Sequence, residues 1–336
     1  MKTHLKQIFS MLAIASMVLF ISCGDDEGED PIVIEKGALQ TALTSANTLL
    51  SNAVEGTANG QYLRGSKAVL ETAIGLGQQV ADSETVTQVQ VDNAVITLNQ
   101  AVTAFEGKEV VPIEPDALMA HWTFNEGQGT TVGDFSGNSN SGSFESGSAD
   151  NGAGTPSWAA DRYGTADRAI SFDAGAWIEV PYSTTLNPSE MTISVWLKAD
   201  VIKANNKILG LNRWEGYKFQ LQDTPKAFFT GATDEGIYDR DTDPVLEDIS
   251  QWYHVVVTFG GGHTIFYVNG IMGTDHDNTP GSLVSVSGYN LAIGSETSNL
   301  EEAGDGFFEG QLDEIRIYNK VLTAAQVNSI YELERP

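Results

Sequence analysis

The sequence contains a single cysteine, Cys23, among its 336 residues. A chain without a second cysteine forms no internal disulfide, so its domains depend on core packing or on metal ions. Basic residues are also scarce, since 18 Lys and Arg stand against 45 Asp and Glu and the formal net charge is −27. This charge argues against nucleic acid or an anionic membrane surface as a direct partner. It is compatible with a neutral ligand, a basic ligand or bound divalent cations.

Familiar catalytic motifs are missing as well. The sequence has no Gly-x-Ser-x-Gly and no His-Glu-x-x-His, which argues against a serine hydrolase and a zinc protease of the common kinds. The five histidines are scattered without cysteine partners, so we do not expect a zinc site. The stretch GQGTTVG has Val132 where a dinucleotide-binding loop has its third glycine. These absences favour a protein that binds and is not an enzyme.

A long apolar run occurs at the N-terminus. The basic start MKTHLKQ precedes an apolar stretch over residues 8–21, and Ser-Cys-Gly follows. This arrangement is typical of a signal peptide, and the run is too short for a good membrane span. LFISC resembles the lipobox of bacterial lipoproteins, which implies that residues 1–22 are a signal peptide and that Cys23 is lipidated. Ordinary secretion with an unmodified thiol is the alternative.

Acidic residues follow Cys23 directly. Residues 23–31 contain five Asp and Glu and predict a solvated, self-repelling tether. The stretch resembles the surface-export signals of Bacteroidota lipoproteins. The resemblance implies a lipid-anchored outer-membrane protein that is exposed at the cell surface and touches the membrane through its lipid alone. A plain periplasmic spacer is the alternative.

Residues 32–107 have a helical period. The clearest apolar stripe, near the end of this segment, consists of Val91, Ala94, Val95, Leu98, Ala101, Val102 and Phe105. Thr85 and Gln88 have the spacing of a capping box for this helix. Three such helices with short connections predict a small bundle. EGTANGQYLRGSKAVLETAI and TQVQVDNAVITLNQAVTAF resemble the FIVAR module of bacterial surface proteins, which implies a spacer or docking bundle; direct sugar binding is the alternative.

The composition and the periodicity of the sequence change after residue 107. Residues 108–116 contain two prolines and no periodicity, which predicts a short, stiff linker. Residues 117–334 contain short alternating runs, such as MTISVWLKA and YHVVVTF, between clusters of Gly, Asn, Asp and Ser. Many short strands with one short C-terminal helix predict an all-β sandwich or barrel.

The same segment resembles the laminin-G-like jellyroll domains of the concanavalin A-like lectin and glucanase superfamily. HWTFNEGQGTTVGDFSGNSNSG, AISFDAGAWIEVP, MTISVWLKA, WYHVVVTFGGGHTIFYVNG, LAIGSE and FFEGQLDEIRIYNKVLTAAQV occur in the order of those domains. We therefore expect a multidomain chain, with a small three-helix bundle followed by an all-β concanavalin A-like jellyroll sandwich. Glucanases of the superfamily use two glutamates in a Glu-x-Asp-x-x-Glu strand, a pattern that this sequence lacks.

One predicted strand carries an unusual carboxylate. GQLDEIRIY puts Asp313 in phase with Ile315 and Ile317, and an unpaired carboxylate on a core-facing row is unfavourable. In the resembling family a calcium ion commonly sits at the sandwich edge, which implies a structural Ca²⁺ bound by Asp134, Asn138 and Asp313. Carboxylate and amide oxygens suit that ion. The alternative is that Asp313 accepts hydrogen bonds from loop N–H groups without a metal.

Aromatic residues outside the strand patterns are candidates for ligand binding. Aromatic faces pack against the C–H faces of sugar rings, and Trp and Tyr add a polar tip. Trp214 and Tyr217 lie in the turn-like stretch NRWEGYKFQLQD, and Tyr238 lies in the stretch YDRDTDP, which we interpret as a solvated acidic loop. The alternative is that these aromatics belong to the core, as we expect for Trp122.

The function that these observations favour is binding of polysaccharide or another glycan by a non-catalytic, surface-anchored lipoprotein. A protein-binding or adhesion module of the cell envelope is the second hypothesis, because laminin-G-like domains also bind proteins. A glycan-active enzyme with an unfamiliar catalytic layout is the third. Fold alone does not establish function, so the sugar ligand rests on analogy.

Overall fold

The computed structural model describes residues 33–147, 152–212, 214–244, 246–296 and 306–336. The predicted signal peptide, lipidated Cys23 and acidic tether lie outside the described residues. In the described part of the chain, no helix has the length and apolar character needed to cross a bilayer.

Three helices form the N-terminal part of the structure: α1 (Gly37–Asn52), α2 (Ser66–Asp82) and α3 (Gln88–Glu106). Their inward stripes meet in one apolar core that includes Leu43, Leu70 and Leu98. The capping box of α3 is formed by Thr87 and Gln90, two residues later than the predicted pair. The side chain of Gln88 instead bonds to the backbone of Glu35 and so ties α3 to the start of α1.

The segment 108–116 is held on both sides. The N–H of Val110 donates to the carbonyl of Gln61 at 2.7 Å, so the segment pairs with the α1–α2 loop. The N–H of Val111 donates to Ser329 Oγ at 3.2 Å, and Ser329 belongs to the C-terminal helix α4 (Ala324–Glu334). The predicted linker is therefore packed between the bundle and α4.

Two antiparallel sheets form the rest of the structure. The first has the order β14-β13-β12-β7-β16-β5-β4, with β1 also paired to β16. Its strands are β1 (Leu118–Trp122), β4 (Ser157–Ala159), β5 (Ala169–Phe172), β7 (Met191–Ala199), β12 (Tyr253–Gly260), β13 (His263–Val268), β14 (Ile271–His276) and β16 (Gly310–Tyr318).

The second sheet has the order β11-β10-β9-β8-β15-β6-β3-β2. Its strands are β2 (Thr131–Val132), β3 (Gly142–Ser146), β6 (Ala176–Val180), β8 (Asn206–Leu211), β9 (Tyr217–Leu221), β10 (Ala227–Thr233), β11 (Gly236–Asp241) and β15 (Leu291–Ile293). Two 3₁₀ helices, Pro115–Ala117 and Thr184–Leu186, precede β1 and β7.

The sheets face each other across one large apolar core, to which both contribute alternate residues. Its aromatic members include Trp122, Phe172, Phe219, Phe229 and Phe259. The predicted fold class, a three-helix bundle followed by an all-β jellyroll sandwich, is confirmed.

The phase predicted for β16 is wrong around Asp313. Leu312 and Ile315 both lie in the sandwich core, although they are an odd number of positions apart. The pairing register with β7 shifts within residues 313–316, and Glu314 has a positive φ of 49°. A β-bulge of this kind adds one residue and reverses the alternation. Asp313 therefore faces away from the sandwich core, toward the layer covered by α4.

Candidate functional site

An open cleft of about 500 Å³ lies at one end of the second sheet. It is bounded by the β8–β9 turn, the β10–β11 hairpin and residues 284–287. We call it the Trp214 cleft. Trp214 and Ile237 are its large apolar side chains, and they are 49% and 52% exposed. Glu215, Thr233 and two serines of the segment 284–287 supply polar groups beside them.

The β8–β9 turn presents Trp214 to solvent through its backbone geometry. Asn212 adopts a left-handed conformation, with φ of 52°, which asparagine tolerates better than most residues. Its carbonyl accepts hydrogen bonds from the N–H groups of Glu215 and Gly216 at 3.2 and 2.7 Å. A Cβ atom on Gly216 would lie 2.1 Å from the carbonyl oxygen of Leu211, so only glycine fits the close of this turn.

The indole of Trp214 also contacts the outer face of the second sheet. Lys218 Nζ lies 5.8 Å from the Trp214 ring centroid and 5.3 Å from that of Phe228, within cation–π range. Lys218 is itself buried and lies 3.6 Å from a carboxylate oxygen of Glu296. The other oxygen of Glu296 binds Lys207 at 2.5 Å. The ring is therefore supported by buried, charged side chains.

Hydrogen bonds fix the segment 284–287, which lines the Trp214 cleft. The N–H of Val284 donates to the carbonyl of Ala232 at 2.9 Å, and the N–H of Ala232 donates to the carbonyl of Gly216 at 2.7 Å. Asn187 Nδ2 donates to the carbonyl of Val286 at 2.7 Å. Each wall is thus fixed by its own backbone contacts, as in a largely pre-formed ligand site.

Tyr217 is a core residue, so its placement corrects the prediction of a ligand contact. Its ring is 1% exposed and its hydroxyl donates to the carbonyl of Leu186 at 2.6 Å. Burial raises the pKa of the Tyr217 hydroxyl far above its ordinary range. A surface ligand cannot reach this side chain.

Tyr238 lies outside the Trp214 cleft. Residues 238–241 of the predicted acidic loop belong to the strand β11, in which Ile237 pairs with Ala232 and Tyr238 with Gly231. Neighbouring residues of a strand point to opposite faces, so Tyr238 points away from the face that Ile237 shares with the cleft. Its ring instead lies 5.1 Å from the guanidinium of Arg240. Among the three predicted ligand residues, Trp214 alone lines the cleft.

The predicted calcium ligands make separate contacts. The carboxylate of Asp134 accepts hydrogen bonds from the N–H groups of His121, Ser136 and Asn140, each at 2.9 Å. Asn138 Nδ2 donates to the carbonyls of Leu118 and Met119, each at 3.0 Å. These side chains fold their own loop onto β1.

Asp313, the third predicted ligand, is bound by the guanidinium of Arg162. A guanidinium at this carboxylate disfavours a second cation, so in this arrangement the three residues do not fit a shared Ca²⁺ site. In the described part of the chain, no group of three or more His, Cys, Asp and Glu side chains is placed to hold a metal. Calcium stays a prediction.

A buried polar network lies beneath α4; we call it the α4 network. Glu334 accepts hydrogen bonds from Arg316 at 2.6 Å, from Trp196 Nε1 at 2.9 Å and, through its carbonyl, from Arg162 Nε at 2.7 Å. Burial raises the pKa of Asp313 to about 7, although the charge of Arg162 opposes this rise. The network is covered by α4, so it fastens the helix to the sheet and offers no surface to a substrate.

Glu314 completes the α4 network toward β1. Its carboxylate lies 2.7 Å from both Arg316 and His121 Nε2. Burial works against ionisation of Glu314, but the hydrogen bond with His121 and the charge of Arg316 lower its pKa. Sequence reasoning missed this network. The signal for it was Glu334, an acid in the last turn of a helix, where the helix dipole disfavours negative charge.

Residues 172–328 match the Laminin_G_3 family, described as the concanavalin A-like lectin/glucanases superfamily. Together with the two-sheet jellyroll, this match supports a laminin-G-like domain of that superfamily in the chain. A comparison with curated proteins found no match.

Several solved structures are similar to this chain. Domain 4 of AbnA, a GH43 extracellular arabinanase from Geobacillus stearothermophilus in complex with arabinotriose, is 21% identical, with a TM-score of 0.50, over 64% of this chain and 98% of that domain. The binding domain of Paraclostridial Mosquitocidal Protein 1 is 16% identical over 65% of this chain, with a TM-score of 0.48. The Botulinum neurotoxin serotype D binding domain is 13% identical over 66% of this chain, with a TM-score of 0.47. This chain covers 52% and 51% of the two toxin domains. The likeness to the arabinanase domain concerns the fold.

Proposed function

We propose that this protein binds carbohydrate without catalysis and that the Trp214 cleft is its ligand site. The observation that carries the proposal is the exposed indole of Trp214, which a tight turn and Lys218 hold at the edge of an open cleft. A flat, rigid aromatic surface suits the C–H face of a sugar ring. Because the site is largely pre-formed, little ordering of the protein opposes binding.

The polar groups of the Trp214 cleft support a ligand rich in hydroxyls. Ser285 and Ser287 carry hydroxyl groups and Glu215 carries a carboxylate, which together offer donors and acceptors around the indole. By analogy of fold, the arabinotriose bound by the arabinanase domain supports an oligosaccharide as the ligand class.

The lining of the Trp214 cleft also supports a non-catalytic role. Glycoside hydrolysis by the common mechanisms needs two carboxyl groups on either side of the scissile bond. Among the described lining residues, Glu215 is the one carboxylate. A glycan-active enzyme therefore needs a second acid from elsewhere in the chain.

We infer in addition that the protein is anchored at the outer surface of the cell through Cys23. The support is the lipobox-like LFISC and the acidic stretch at 23–31. In this proposal the bundle of residues 32–107 is a spacer, the segment 108–116 joins it to the jellyroll, and residues 117–334 carry the ligand site. Labelling with radioactive palmitate that is lost in Cys23→Ala tests the anchor, and added protease on intact cells tests the exposure.

Affinity gel electrophoresis with a panel of polysaccharides, arabinan included, tests the ligand site. We expect at least one polysaccharide to retard the mature protein and Trp214→Ala to migrate as in a gel without polysaccharide. Phe135→Ala is the matched control, because Phe135 is a 61% exposed aromatic side chain that does not line the cleft. Equal retardation of the wild type and Trp214→Ala would place the ligand elsewhere. A single stoichiometric partner recovered from outer-membrane extract, with no effect of any glycan, would favour the protein-binding alternative.

A further inference from the structure

A second pocket, of about 320 Å³, lies between the helical bundle and α4. We call it the junction pocket. Its floor consists of Leu63, Leu70 and Phe105, which are all buried. Ala101 and Ala104 of α3 form one wall, and their small side chains leave the space open. Pockets between domains with an apolar floor and a few polar groups are common ligand sites, and the proposed glycan-binding function does not use this one.

The rim of the junction pocket is basic. Arg64, Lys108, Glu332 and Arg335 line it. The two carboxylate oxygens of Glu332 lie 3.4 Å from Lys108 and 2.7 Å from Arg335. With Arg64, the rim therefore has three basic side chains and one acidic side chain. This local excess of positive charge stands out in a chain with a formal net charge of −27, and it favours an anion.

The geometry of the junction pocket is fixed by the chain around it. The rings of Tyr62 and Phe105 are stacked with centroids 4.2 Å apart. The N–H of Leu63 donates to the carbonyl of Lys108 at 3.0 Å. Helix α2 begins at Ser66, beside the pocket, and its N-terminus is capped by Glu55, whose carboxylate accepts a hydrogen bond from the N–H of Lys67 at 2.8 Å. The neighbouring acids Glu106 and Glu109 do not line the pocket.

We propose that the junction pocket binds an amphipathic carboxylate, namely an organic acid with a single alkyl chain. The alkyl chain packs on Leu63, Leu70 and Phe105, and the carboxylate is bound by Arg64 and Lys108 at the rim. An α-helix with its side chains is about 10–12 Å across and is too wide for a space of this volume that α4 closes on one side. A single alkyl chain fits, and its carboxylate complements the basic rim.

Calorimetric titration of the mature protein, residues 23–336, with decanoate tests this proposal. Decanol is the matched probe, since it has the same chain without the charge. We expect decanoate to bind below its micellar concentration and decanol to bind at least about tenfold more weakly, because hydrogen bonds to a charged group are worth that much. Equal binding of decanoate and decanol, or no binding of decanoate, would overturn the proposal.

Arg64 and Ala104 are exposed, so both can be substituted without disturbing the core. Arg64→Glu should weaken decanoate binding about tenfold or more, whereas Lys320→Glu, which changes the net charge equally outside the pocket, should leave it unchanged. Ala104→Trp should fill the pocket and abolish binding of both probes. Decanoate affinity that is the same in Arg64→Glu and wild type would contradict the assignment. Retardation by polysaccharide reports on the Trp214 cleft, so each proposal fails independently of the other.

Discussion

The carboxylate of Asp313 is paired with the guanidinium of Arg162 beneath α4, where the two side chains are 2% and 7% exposed. The guanidinium also lies 5.2 Å from the ring of Trp196 and 4.6 Å from that of Tyr163. Its Nε donates to the carbonyl of Glu334. One ion pair therefore joins β16, the segment after β4 and the C-terminal helix, in a domain that has no disulfide.

The first prediction concerns this pair. Asp313→Asn removes the carboxylate that pairs with the buried guanidinium of Arg162, which keeps only the charges of Glu334 and Glu314 nearby, so we expect the free energy of unfolding to fall by about 1–3 kcal/mol. Urea unfolding of the wild type, Asp313→Asn, Arg162→Met and the double variant measures it. The double variant should lose less than the sum of the single ones.

A control and a chelator separate this explanation from calcium. Asp275→Asn removes the partner of His263 in an exposed pair, and we expect a change of about 1 kcal/mol or less. EDTA should leave the melting temperature of the wild type unchanged. If EDTA lowers it, and Asp313→Asn removes that sensitivity, then a metal and not Arg162 is the partner of Asp313.

The second prediction concerns the attachment of α4. Glu334→Gln weakens the contacts with Arg316 and Trp196, and we expect a loss of about 1.5–3 kcal/mol in the free energy of unfolding. Glu332→Gln, on the same helix, removes only partly exposed contacts with Lys108 and Arg335 and should change it by about 1 kcal/mol or less. Hydrogen exchange should show faster exchange in α4 for Glu334→Gln alone. Equal effects of the two variants would contradict the role of the α4 network.

The third prediction is a dependence of stability on pH. Burial lowers the pKa of His254 to about 3, and the charges of Arg316 and Arg162 add to this effect. As the pH falls below about 6.5, His254 is protonated in the unfolded chain but stays neutral in the folded protein. The stabilisation by His254 is therefore complete above pH 6.5 and is lost as the pH falls toward 3. Between pH 7.5 and 4.5 this loss is about 2–3 kcal/mol.

Comparison with His254→Gln isolates this contribution, and urea unfolding at the two pH values measures it. Asp313 has the opposite pH dependence, because burial raises its pKa and the stabilisation by the protonated group is lost as the pH rises through about 7. Both the wild type and His254→Gln contain Asp313, so its contribution cancels in the comparison. His263→Gln is the exposed control. The pH dependence should be clearly smaller in His254→Gln than in the wild type, and identical profiles would show that His254 does not carry it.

The fourth prediction separates the two aromatic residues of one sequence stretch. Tyr217→Ala creates a cavity in the core and should lower the free energy of unfolding by about 3–5 kcal/mol. Trp214→Ala removes a half-exposed side chain and should lower it by about 1 kcal/mol or less. Thermal unfolding followed by circular dichroism measures both. A large loss in Trp214→Ala would indicate that the indole supports the fold and would weaken its assignment to a ligand.

The sequence predicted burial or exposure correctly where a local pattern alone determines it. Leu98 and Phe105 lie on one helical stripe, and both are buried in the bundle core. Trp214 lies in a turn that Asn212 and Gly216 determine locally, and its exposure could be predicted from the sequence. In a strand, alternate residues face the same side. Tyr217 alternates with Phe219 and Leu221, so this rule would have placed Tyr217 in the core.

Other features depend on distant parts of the chain. The bulge after Asp313 reverses the phase of β16, and alternation alone cannot predict such an insertion. Arg162 and Asp313 are 151 positions apart in the chain and meet only in the folded domain. Lys218 is buried on the outer face of the second sheet because Glu296 lies against it. These contacts join residues far apart in the chain, and no local pattern indicates them.

The most direct test of the central claim is a glycan array probed with the mature wild-type protein, Trp214→Ala and Phe135→Ala at equal concentration. We predict one related group of glycans bound by the wild type and by Phe135→Ala and lost in Trp214→Ala. A blank array from folded wild-type protein, or the same glycans bound by Trp214→Ala, would contradict carbohydrate binding at this cleft.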